Sequence, residues 1–246
     1  MIGVPERKDD AAIEKARAGM VAEILADIRR TRDYLGKDHL APEILAAMAK
    51  VPRHCFVPVT YQDRAYENHA QPIGHGQTIS QPYMVAVITD LAQASAGARI
   101  LEVGSGCGYQ CAVLAEIGAV VFGIEIVPEL ARASQARLTD LGYDKVRVRN
   151  GDGAEGWPEE APFDAIIVSA AAWHEVPPAL LEQLRPGGRL VVPLERGPRG
   201  ARFPFFSQDQ VLLLIEKQDD GSLRRREILP VAFVPLVSAK AGDGLS

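Results

Sequence analysis

The sequence changes rhythm at residue 99, and from there short apolar runs alternate with helical patterns. Alternation of this kind is typical of a parallel β-sheet whose two faces are covered by helices. Strands are predicted at residues 99–103, 120–124, 146–149 and 165–168, and helices at 109–117, 128–141 and 178–184. We therefore expect an α/β fold with a mostly parallel sheet.

The last third of the chain departs from this alternation. Strand-like runs occupy residues 190–194, 211–216 and 228–236, with turns predicted at 186–188 and 219–221. Antiparallel strands are expected to close the sheet here. Residues 197–207 are rich in proline, glycine and phenylalanine and are predicted to form a loop.

The first 98 residues begin with helical patterns. Apolar residues recur at three- and four-residue steps between Ile13 and Ile28, which predicts an amphipathic helix. A second helix is predicted from Pro42 to Val51, because proline suits a first helical turn and Pro52 ends the pattern. Residues 53–81 are predicted to be irregular.

Composition limits the classes of function. The 246 residues are 47% hydrophobic and 24% charged, which is the balance of a globular protein with a sizeable core. This length predicts one main unit. The formal charge is -5 and the isoelectric point is near 5.6. That sign is wrong for a protein that neutralises phosphates, so nucleic acid is not an expected partner.

The sequence contains no pattern typical of a membrane span, a secretion signal or a metal site. No stretch approaches the roughly 20 apolar residues that span a bilayer, and the first 30 residues carry charges throughout. We therefore expect a cytoplasmic protein without membrane association. The three cysteines, Cys55, Cys107 and Cys111, cannot all pair, and no second Cys or His pair lies near the last two. Neither a disulfide nor a metal site is expected.

The most informative segment is residues 100–110, Ile-Leu-Glu-Val-Gly-Ser-Gly-Cys-Gly-Tyr-Gln, between the first predicted strand and helix of the sheet. Glycines at these positions let a ligand approach the backbone closely, because side chains would obstruct it. The spacing is Gly-x-Gly-x-Gly, whereas the dinucleotide motif is Gly-x-Gly-x-x-Gly. The segment therefore predicts a bound ligand and argues against NAD.

Two acidic residues follow strands at the same edge of the predicted sheet. Glu125 comes seventeen positions after Gly108, where a carboxylate can accept hydrogen bonds from both hydroxyls of a ribose. Asp152 lies in an Asn-Gly-Asp-Gly turn and can accept one from an exocyclic amine such as that of adenine. Each feature alone is common and has an ordinary structural explanation. Together they indicate a nucleoside site without a pyrophosphate, which points to S-adenosylmethionine.

Several motifs are similar to those of one known family in order and spacing. They are residues 53–58 (Arg-His-Cys-Phe-Val-Pro), 78–82 (Thr-Ile-Ser-Gln-Pro), the glycine-rich segment, 151–153 (Gly-Asp-Gly), 184–192 and 233–236 (Phe-Val-Pro-Leu). Over about residues 52–236 the chain resembles the protein-L-isoaspartate O-methyltransferase family. The resemblance implies a Rossmann-like class I methyltransferase fold with a mostly parallel seven-stranded sheet, helices on both faces and extra N-terminal helices. It implies N-terminal helices and a substrate-side loop region at 1–80 and an S-adenosylmethionine-binding domain at 81–246, packed as one unit.

The resemblance also implies an enzyme that moves the methyl group of S-adenosylmethionine to the free carboxylate of an isoaspartyl residue in a damaged protein. The ester would cyclise to a succinimide, whose hydrolysis restores some normal aspartate. Such a carboxylate has an ordinary pKa of about 4 and is ionised at neutral pH, so the transfer needs no general base. The expected partners are isoaspartyl-containing proteins and peptides, and a monomer is expected.

Ser80 is the expected catalytic residue, because the resemblance carries the family's functional serine to this position. The alternative is a helix N-cap, since an apolar helical pattern follows and Pro82 suits a first turn. The expected cofactor-binding residues belong to the Thr-Ile-Ser element (residues 78–80), the glycine-rich segment and the two acidic turns. They are Thr78, Ile79, Ser80, Tyr83, Gly104, Ser105, Gly106, Gly108, Glu125, Ile126, Asp152 and Gly153.

Two stretches depart from the family pattern, Trp173-His174 and the Phe-rich residues 203–206. Because of these departures, an alternative hypothesis stays open, in which the enzyme methylates a normal aspartate or another carboxylate on a dedicated peptide. A module that binds S-adenosylmethionine without transferring its methyl group is a further hypothesis, against which the intact Thr-Ile-Ser element counts. Residues 224–226, three arginines, are interpreted as a solvated charge run on a late strand.

Overall fold

The computed structural model describes residues 10–197 and 209–238. Its N-terminal part is helical and leads through a small hairpin into a buried helix. The elements are α1 (Asp10–Arg30), α2 (Arg32–Leu35), α3 (Pro42–Lys50), two short 3-10 helices (Arg53–Phe56 and Val59–Arg64), β1 (Gln71–Gly74), β2 (Gln77–Ile79) and α4 (Pro82–Leu91). The two helices predicted before residue 53 are confirmed.

The rest of the described chain forms one sheet and the helices between its strands. In chain order the elements are β3 (Arg99–Val103), α5 (Tyr109–Ile117), β4 (Val120–Glu125), α6 (Pro128–Asp140), β5 (Val146–Asn150), two 3-10 turns (Gly153–Glu155 and Pro158–Glu160), β6 (Phe163–Val168), β7 (Ala172–Trp173), α7 (Pro178–Glu182), β8 (Leu184–Glu195), β9 (Gln210–Lys217) and β10 (Leu223–Pro230). Prediction and structure agree to the residue for β3 and α5.

The strands lie in the order β10-β9-β8-β6-β3-β4-β5, and the short β7 pairs with β8 beside this row. β3 is parallel to β4 and β6, β4 to β5, and β6 to β8. β9 is antiparallel to both β8 and β10. The expected mostly parallel sheet with an antiparallel end is confirmed, and β7 is a short eighth strand that the sequence did not predict. The carboxyl ends of β3 to β6 meet at one edge, where open α/β sheets bind ligands.

Alternate residues of each strand pack against helices on opposite faces of the sheet. Ile100 of β3 belongs to a core with α1 and α3 to α6, whereas Leu101 and Val103 belong to a core with α7. Each buried side chain of this size stabilises the fold by about 1.5 to 3 kcal/mol. The N-terminal helices α1 and α3 contribute buried residues to the first of these cores.

The structure corrects the prediction of an irregular stretch at 53–81. β1 and β2 pair antiparallel and turn through His75 and Gly76, whose φ angles are 53° and 70°. Two successive residues with positive φ give the turn whose twist matches the flanking strands. The Gly-His-Gly sequence was the available signal, but strands of four and three residues carry too little alternation to be recognised.

The last strand also differs from its prediction. It was expected at 228–236 but runs over Leu223–Pro230. The prediction was wrong because the exposed arginines near the start of the strand hide its alternation of apolar and polar residues. Those three arginines lie exposed on this edge strand, as expected. The turn predicted at 186–188 lies inside β8 as an irregularity in register with β6. The predicted turn at 219–221 is present, and its Gly221 has a φ of 82°.

Other predictions concern single residues and the membrane. The cysteines Cys55, Cys107 and Cys111 are free thiols, and the last two are buried. The Phe-rich residues 203–206 lie outside the described residues. Within 10–197 and 209–238, no helix is both long and apolar enough to cross a membrane.

Candidate active site

The glycine-rich segment forms the loop between β3 and α5. Its Gly104, Gly106 and Gly108 have φ angles of 79°, 52° and 88°, in the left-handed region that favours glycine. A Cβ atom at Gly108 would lie 2.9 Å from the Leu138 side chain. The Gly104 amide donates to the Ile124 carbonyl at 2.8 Å. The loop is therefore held against the end of β4.

Glu125 lies at the end of β4 and is 4% exposed. Its Oε2 accepts a hydrogen bond from the Gly106 amide at 2.8 Å, and its Oε1 accepts one from the Val127 amide at 2.9 Å. Each carboxylate oxygen can accept a second hydrogen bond. The carboxylate thus fixes the glycine loop and can still receive two hydroxyl donors from a ligand.

Glu125 and the glycine loop line a small, partly open cavity of about 50 Å³, which we call the inner cavity. Its lining residues come from the hairpin, the carboxyl edge of the sheet and the segment after β10. They are Gln77, Thr78, Val103, Gly104, Gly106, Ile124, Glu125, Ile126, Gly153, Ser169, Ala170, Val234, Pro235, Leu236 and Val237. Six of the predicted cofactor-binding residues are therefore brought together here.

A larger depression, which we call the outer cleft, opens beside the inner cavity with a volume of about 710 Å³. The hairpin, α4 and the segment after β10 form its walls. Its lining residues are His69, Ala70, Thr78, Ser80, Gln81, Tyr83, Met84, Ser169, Leu229, Pro230, Val231, Ala232, Phe233 and Val234. Thr78, Ser169 and Val234 line both spaces, so the inner cavity and the outer cleft share a wall.

Ser80 lies between the end of β2 and the start of α4, and it lines the outer cleft. The alternative of an N-cap is wrong, because Gln81 occupies the N-cap position. A backbone amide in the first turn of α4 is instead paired with a side chain distant in sequence: the Tyr83 amide donates a hydrogen bond to Asn68 Oδ1 at 2.9 Å. The Ser80 carbonyl accepts from Arg53 Nη2 at 2.8 Å. The Ser80 hydroxyl is therefore not committed to capping the helix.

Ser80 also borders a polar cavity of about 30 Å³ between the glycine loop, the Thr-Ile-Ser element and β3. Ile79 and Ser105, two of the predicted cofactor residues, line this space. The Ser105 hydroxyl is buried and has no hydrogen-bond partner among the described residues. A cavity of this size can hold one water molecule or a small polar group of a ligand.

Asp152 and Gly153 begin the 3-10 turn after β5. A Cβ at Gly153 would lie 2.3 Å from Val103 Cγ1, so only glycine fits against β3 there. The Asp152 Oδ1 accepts from the Ala154 amide at 2.9 Å, and its Oδ2 accepts from the Ser238 hydroxyl at 2.7 Å. Gly153 lines the inner cavity, whereas the Asp152 carboxylate bonds within the protein.

Two further predicted cofactor residues, Tyr83 and Gly108, do not line the inner cavity either. Tyr83 lines the outer cleft, and its hydroxyl forms a 2.7 Å hydrogen bond with Thr31 at the end of α1. Burial raises the pKa of the Tyr83 hydroxyl, so it stays protonated. Gly108 packs against α6 and shapes the loop from behind. Their cofactor roles stay predictions.

Sequence reasoning missed Glu102 and Ser169. Glu102 of β3 is 1% exposed and lines the polar cavity. Its Oε1 accepts from the Ser169 hydroxyl at 2.9 Å and its Oε2 from the Cys111 thiol at 2.8 Å. Burial raises the pKa of the Glu102 carboxyl to about 8, although these two hydrogen bonds lower it. The available signals were an acidic residue inside an apolar strand, for Glu102, and a serine directly after an apolar strand, for Ser169.

Charge and reactivity limit what the site can do. The described residues that line the three spaces include no lysine or arginine, so a phosphate has no cationic partner there. Burial raises the pKa of Cys107 to about 11 and that of Tyr109 to about 12, so neither supplies a ready nucleophile. The site suits an uncharged or cationic ligand beside Glu125.

The chemistry of the inner cavity fits S-adenosylmethionine. Its lining includes a single carboxylate, whose oxygens can accept hydrogen bonds from hydroxyl groups such as those of a ribose, and its glycines leave the loop backbone open to a ligand. The fold and these two adjoining spaces define a class I methyltransferase. The model of the family described as protein-L-isoaspartate(D-aspartate) O-methyltransferase matches residues 26–241. The chain belongs to this family.

Individual relatives agree with the family match. The chain is 54% identical over 221 residues to protein-L-isoaspartate O-methyltransferase 2 of Syntrophobacter fumaroxidans, covering 90% of this chain and 85% of that protein. It is 52% identical to the protein of the same description from Polaromonas sp., covering 90% of this chain and all of the relative. The family and the enzyme class that the sequence predicted are confirmed.

Two solved structures show the same fold. One, a protein-L-isoaspartate O-methyltransferase, superposes with a TM-score of 0.69 at 25% identity, and covers 87% of this chain, which spans 65% of that chain. The other, described as a protein-L-isoaspartate O-methyltransferase of Plasmodium falciparum, was solved with S-adenosyl-L-homocysteine. It gives a TM-score of 0.68 at 25% identity over 87% of this chain and 97% of its own. The predicted fold class is confirmed.

Proposed function

We propose that this protein transfers the methyl group of S-adenosylmethionine to the free carboxylate of L-isoaspartyl residues in damaged proteins and peptides, and so starts their repair through a succinimide. The observation that carries the proposal is the position of the Thr-Ile-Ser element. It separates the inner cavity, which suits the donor, from the outer cleft, which can receive a peptide residue. A donor on one side and an acceptor on the other would meet at this element.

The donor is held by residues at the carboxyl edge of the sheet. Glu125 accepts hydrogen bonds from the two ribose hydroxyls, and Ile126 packs beside the base. Gly104 and Gly106 leave room for the methionine end, near the buried Ser105 hydroxyl. Asp152 receives the adenine amine at a carboxylate oxygen, because each of its oxygens can accept a second hydrogen bond beside that from Ala154 or Ser238. When bound, S-adenosylmethionine supplies an electrophilic methyl group on a positively charged sulfur.

The chain's own contribution is mainly alignment. The acceptor carboxylate is ionised at neutral pH, so no residue has to remove a proton from it. The Ser80 hydroxyl donates a hydrogen bond to one carboxylate oxygen and so directs the other oxygen toward the methyl donor. Holding reacting groups in line near contact distance can contribute roughly 7 to 11 kcal/mol to the lowering of a barrier. Thr78 and Ser169 form the wall across which the two groups meet.

The packing, surface and charge of the chain support further properties of the protein. We expect residues 1–80 and 81–246 to act as one packed unit, which the shared core of α1, α3 and α4 to α6 supports. Among the described residues, the exposed large apolar side chains are only Tyr34, Val59, Trp173 and Val237, and this small number supports a monomer. Three free thiols support a reducing, cytoplasmic environment. The acidic charge supports proteins and peptides, rather than nucleic acid, as partners.

A paired-peptide assay tests the proposed reaction. Purified protein is incubated with methyl-labelled S-adenosylmethionine and two peptides that differ only in an isoaspartyl or an aspartyl linkage. We expect label in the isoaspartyl peptide, released by base as expected for a methyl ester, and background label in the other. Preference for the aspartyl peptide would favour the alternative acceptor. Binding of S-adenosylhomocysteine without label in either peptide would favour a module that binds without transfer.

A further inference from the structure

Arg53 is a charged side chain in the core of the protein. Among the described residues it is the largest fully buried side chain, with 0% of its surface exposed. Its guanidinium forms no ion pair with a carboxylate among the described residues. Burial lowers the pKa of Arg53, yet a guanidinium remains protonated in proteins. An unpaired buried charge is costly to the fold, so a role besides packing is to be expected.

The contacts of Arg53 join three separate parts of the chain. Its Nε donates to the Ala65 carbonyl at 2.8 Å, and its Nη2 donates to the Ser80 carbonyl at 2.8 Å. The guanidinium carbon lies 4.6 Å from the ring centroid of Tyr109. Ala65 follows the second 3-10 helix, Ser80 precedes α4, and Tyr109 is the first residue after the glycine loop. One planar group therefore connects the Thr-Ile-Ser element to the start of α5.

Ser80 has few other restraints. It belongs neither to β2 nor to α4, and the structure assigns its hydroxyl no capping bond. Its neighbours are held independently, because Gln81 Nε2 donates to the Asn68 carbonyl at 2.9 Å. Rotation about the Cα–C bond of Ser80 would turn its side chain relative to its own carbonyl. The bond from Arg53 to the Ser80 carbonyl opposes that rotation.

We propose that Arg53 is a positioning residue for methyl transfer, which fixes the Ser80 carbonyl relative to the glycine loop and so directs the Ser80 hydroxyl into the outer cleft. This inference rests on the proposed function, in which Ser80 orients the acceptor carboxylate. A lysine would keep the charge but could not donate in one plane to two carbonyls while stacking on a ring. Arg53→Lys is therefore the informative substitution.

The test is a double-mutant cycle between Arg53→Lys and Ser80→Ala. For the four proteins, kcat and KM are measured with the isoaspartyl peptide, S-adenosylhomocysteine binding by calorimetry and folding by thermal melting. Arg53→Lys is expected to lower kcat by about tenfold or more, since small misplacements near reacting groups have effects of this size or larger. In the Ser80→Ala background the same substitution is expected to cost less than about twofold, because coupled residues are not additive. Binding of S-adenosylhomocysteine should change by less than about threefold.

Arg189→Lys provides a matched control. Arg189 is partly buried, with 23% of its side chain exposed, and donates to a backbone carbonyl, that of Leu91 at 3.2 Å, as well as to Glu216 at 2.6 Å. It ties the far end of α4 to the sheet. Its substitution is expected to lower the melting temperature and to leave kcat unchanged.

The outcomes separate this inference from the proposed function. If the unsubstituted protein does not methylate the isoaspartyl peptide, the proposed function fails. If it does, and Arg53→Lys has normal kcat or costs the same factor in both backgrounds, the positioning role is overturned. If the Arg53→Lys protein does not fold, Arg53→Gln takes its place in the same double-mutant cycle. Failure of both to fold would assign Arg53 to stability and overturn the proposal.

Discussion

The Glu125 carboxylate accepts a hydrogen bond from the Gly106 amide at 2.8 Å and so joins the end of β4 to the loop that follows β3. The two residues are nineteen positions apart and meet because β3 and β4 are adjacent parallel strands. A single carboxylate therefore shapes the glycine loop and faces the inner cavity. Ligand binding and loop geometry are expected to change together when Glu125 is altered.

Glu125→Gln is expected to weaken S-adenosylhomocysteine binding by about 10- to 100-fold, because hydrogen bonds to a charged acceptor contribute about 1.5 to 3 kcal/mol. The amide also replaces one acceptor oxygen by a donor. Isothermal calorimetry measures the effect. Glu129→Gln, an exposed acid on the first turn of α6, is the control and should bind normally. Equal affinity of the two variants would contradict the role of Glu125.

Glu102→Gln is expected to change how stability depends on pH. The pKa of Glu102 rises from 4.5 to about 8 on folding, so between these values the native state holds a proton that the unfolded chain has released. Its stabilising effect is complete below about 4.5 and is lost as the pH rises to about 8, by at most about 1.4 kcal/mol per pH unit.

Urea unfolding at several pH values from 5 to 8 measures this difference. The free energy of unfolding of the unsubstituted protein should fall relative to that of Glu102→Gln as the pH rises. Parallel pH profiles of the two proteins would show that the carboxyl does not keep its proton on folding.

Gly153→Ala is expected to destabilise the protein by about 1 to 3 kcal/mol, because overpacking a core has effects of this size. The added Cβ would meet Val103 Cγ1 at 2.3 Å, and the turn beside the inner cavity would shift and weaken S-adenosylhomocysteine binding. Thermal melts and calorimetry measure both effects. Gly19→Ala in the exposed part of α1 meets nothing within 4 Å and should stabilise the helix by up to about 1 kcal/mol. Normal binding and melting of Gly153→Ala would contradict the close packing.

Tyr83→Phe tests whether Tyr83 acts on the cofactor or on the fold. Loss of the hydrogen bond to Thr31 at 2.7 Å is expected to lower the free energy of unfolding by about 1 kcal/mol. Affinity for S-adenosylhomocysteine should stay within about twofold, a small change on the free-energy scale. Tyr34→Phe, at a residue 56% exposed, is the control for both measurements. A large loss of affinity would instead support the cofactor role expected from the resemblance.

The sheet could be predicted from sequence where strands and helices alternate in apolar pattern. β3 and α5 were predicted to the residue, since a buried strand, a glycine loop and an apolar helix have distinct signals. β1 and β2 were missed because they are short. β10 was predicted at the wrong residues because its three consecutive arginines interrupt the alternation of apolar and polar residues that is typical of a strand. Local pattern fails where a strand is short or lies at the edge of the sheet.

The candidate site was predictable as a set of residues but not as a set of contacts. Glu125 and Gly153 were found from their positions after strands, and both line the inner cavity. The hydrogen bond of Asp152 to Ser238 spans 86 positions, and no local pattern indicates it. Ser169 was missed because its role depends on the pairing of β3 with β6, which brings it to Glu102.

The most direct measurement follows the isoaspartyl peptide by mass spectrometry during incubation with the protein and S-adenosylmethionine. We expect one methyl group on the free carboxylate of the isoaspartyl residue, then its loss as the succinimide forms, then a growing fraction of the aspartyl peptide. The aspartyl peptide should stay unmodified under the same conditions. A methyl group on any other atom, or equal methylation of the two peptides, would contradict the proposed function.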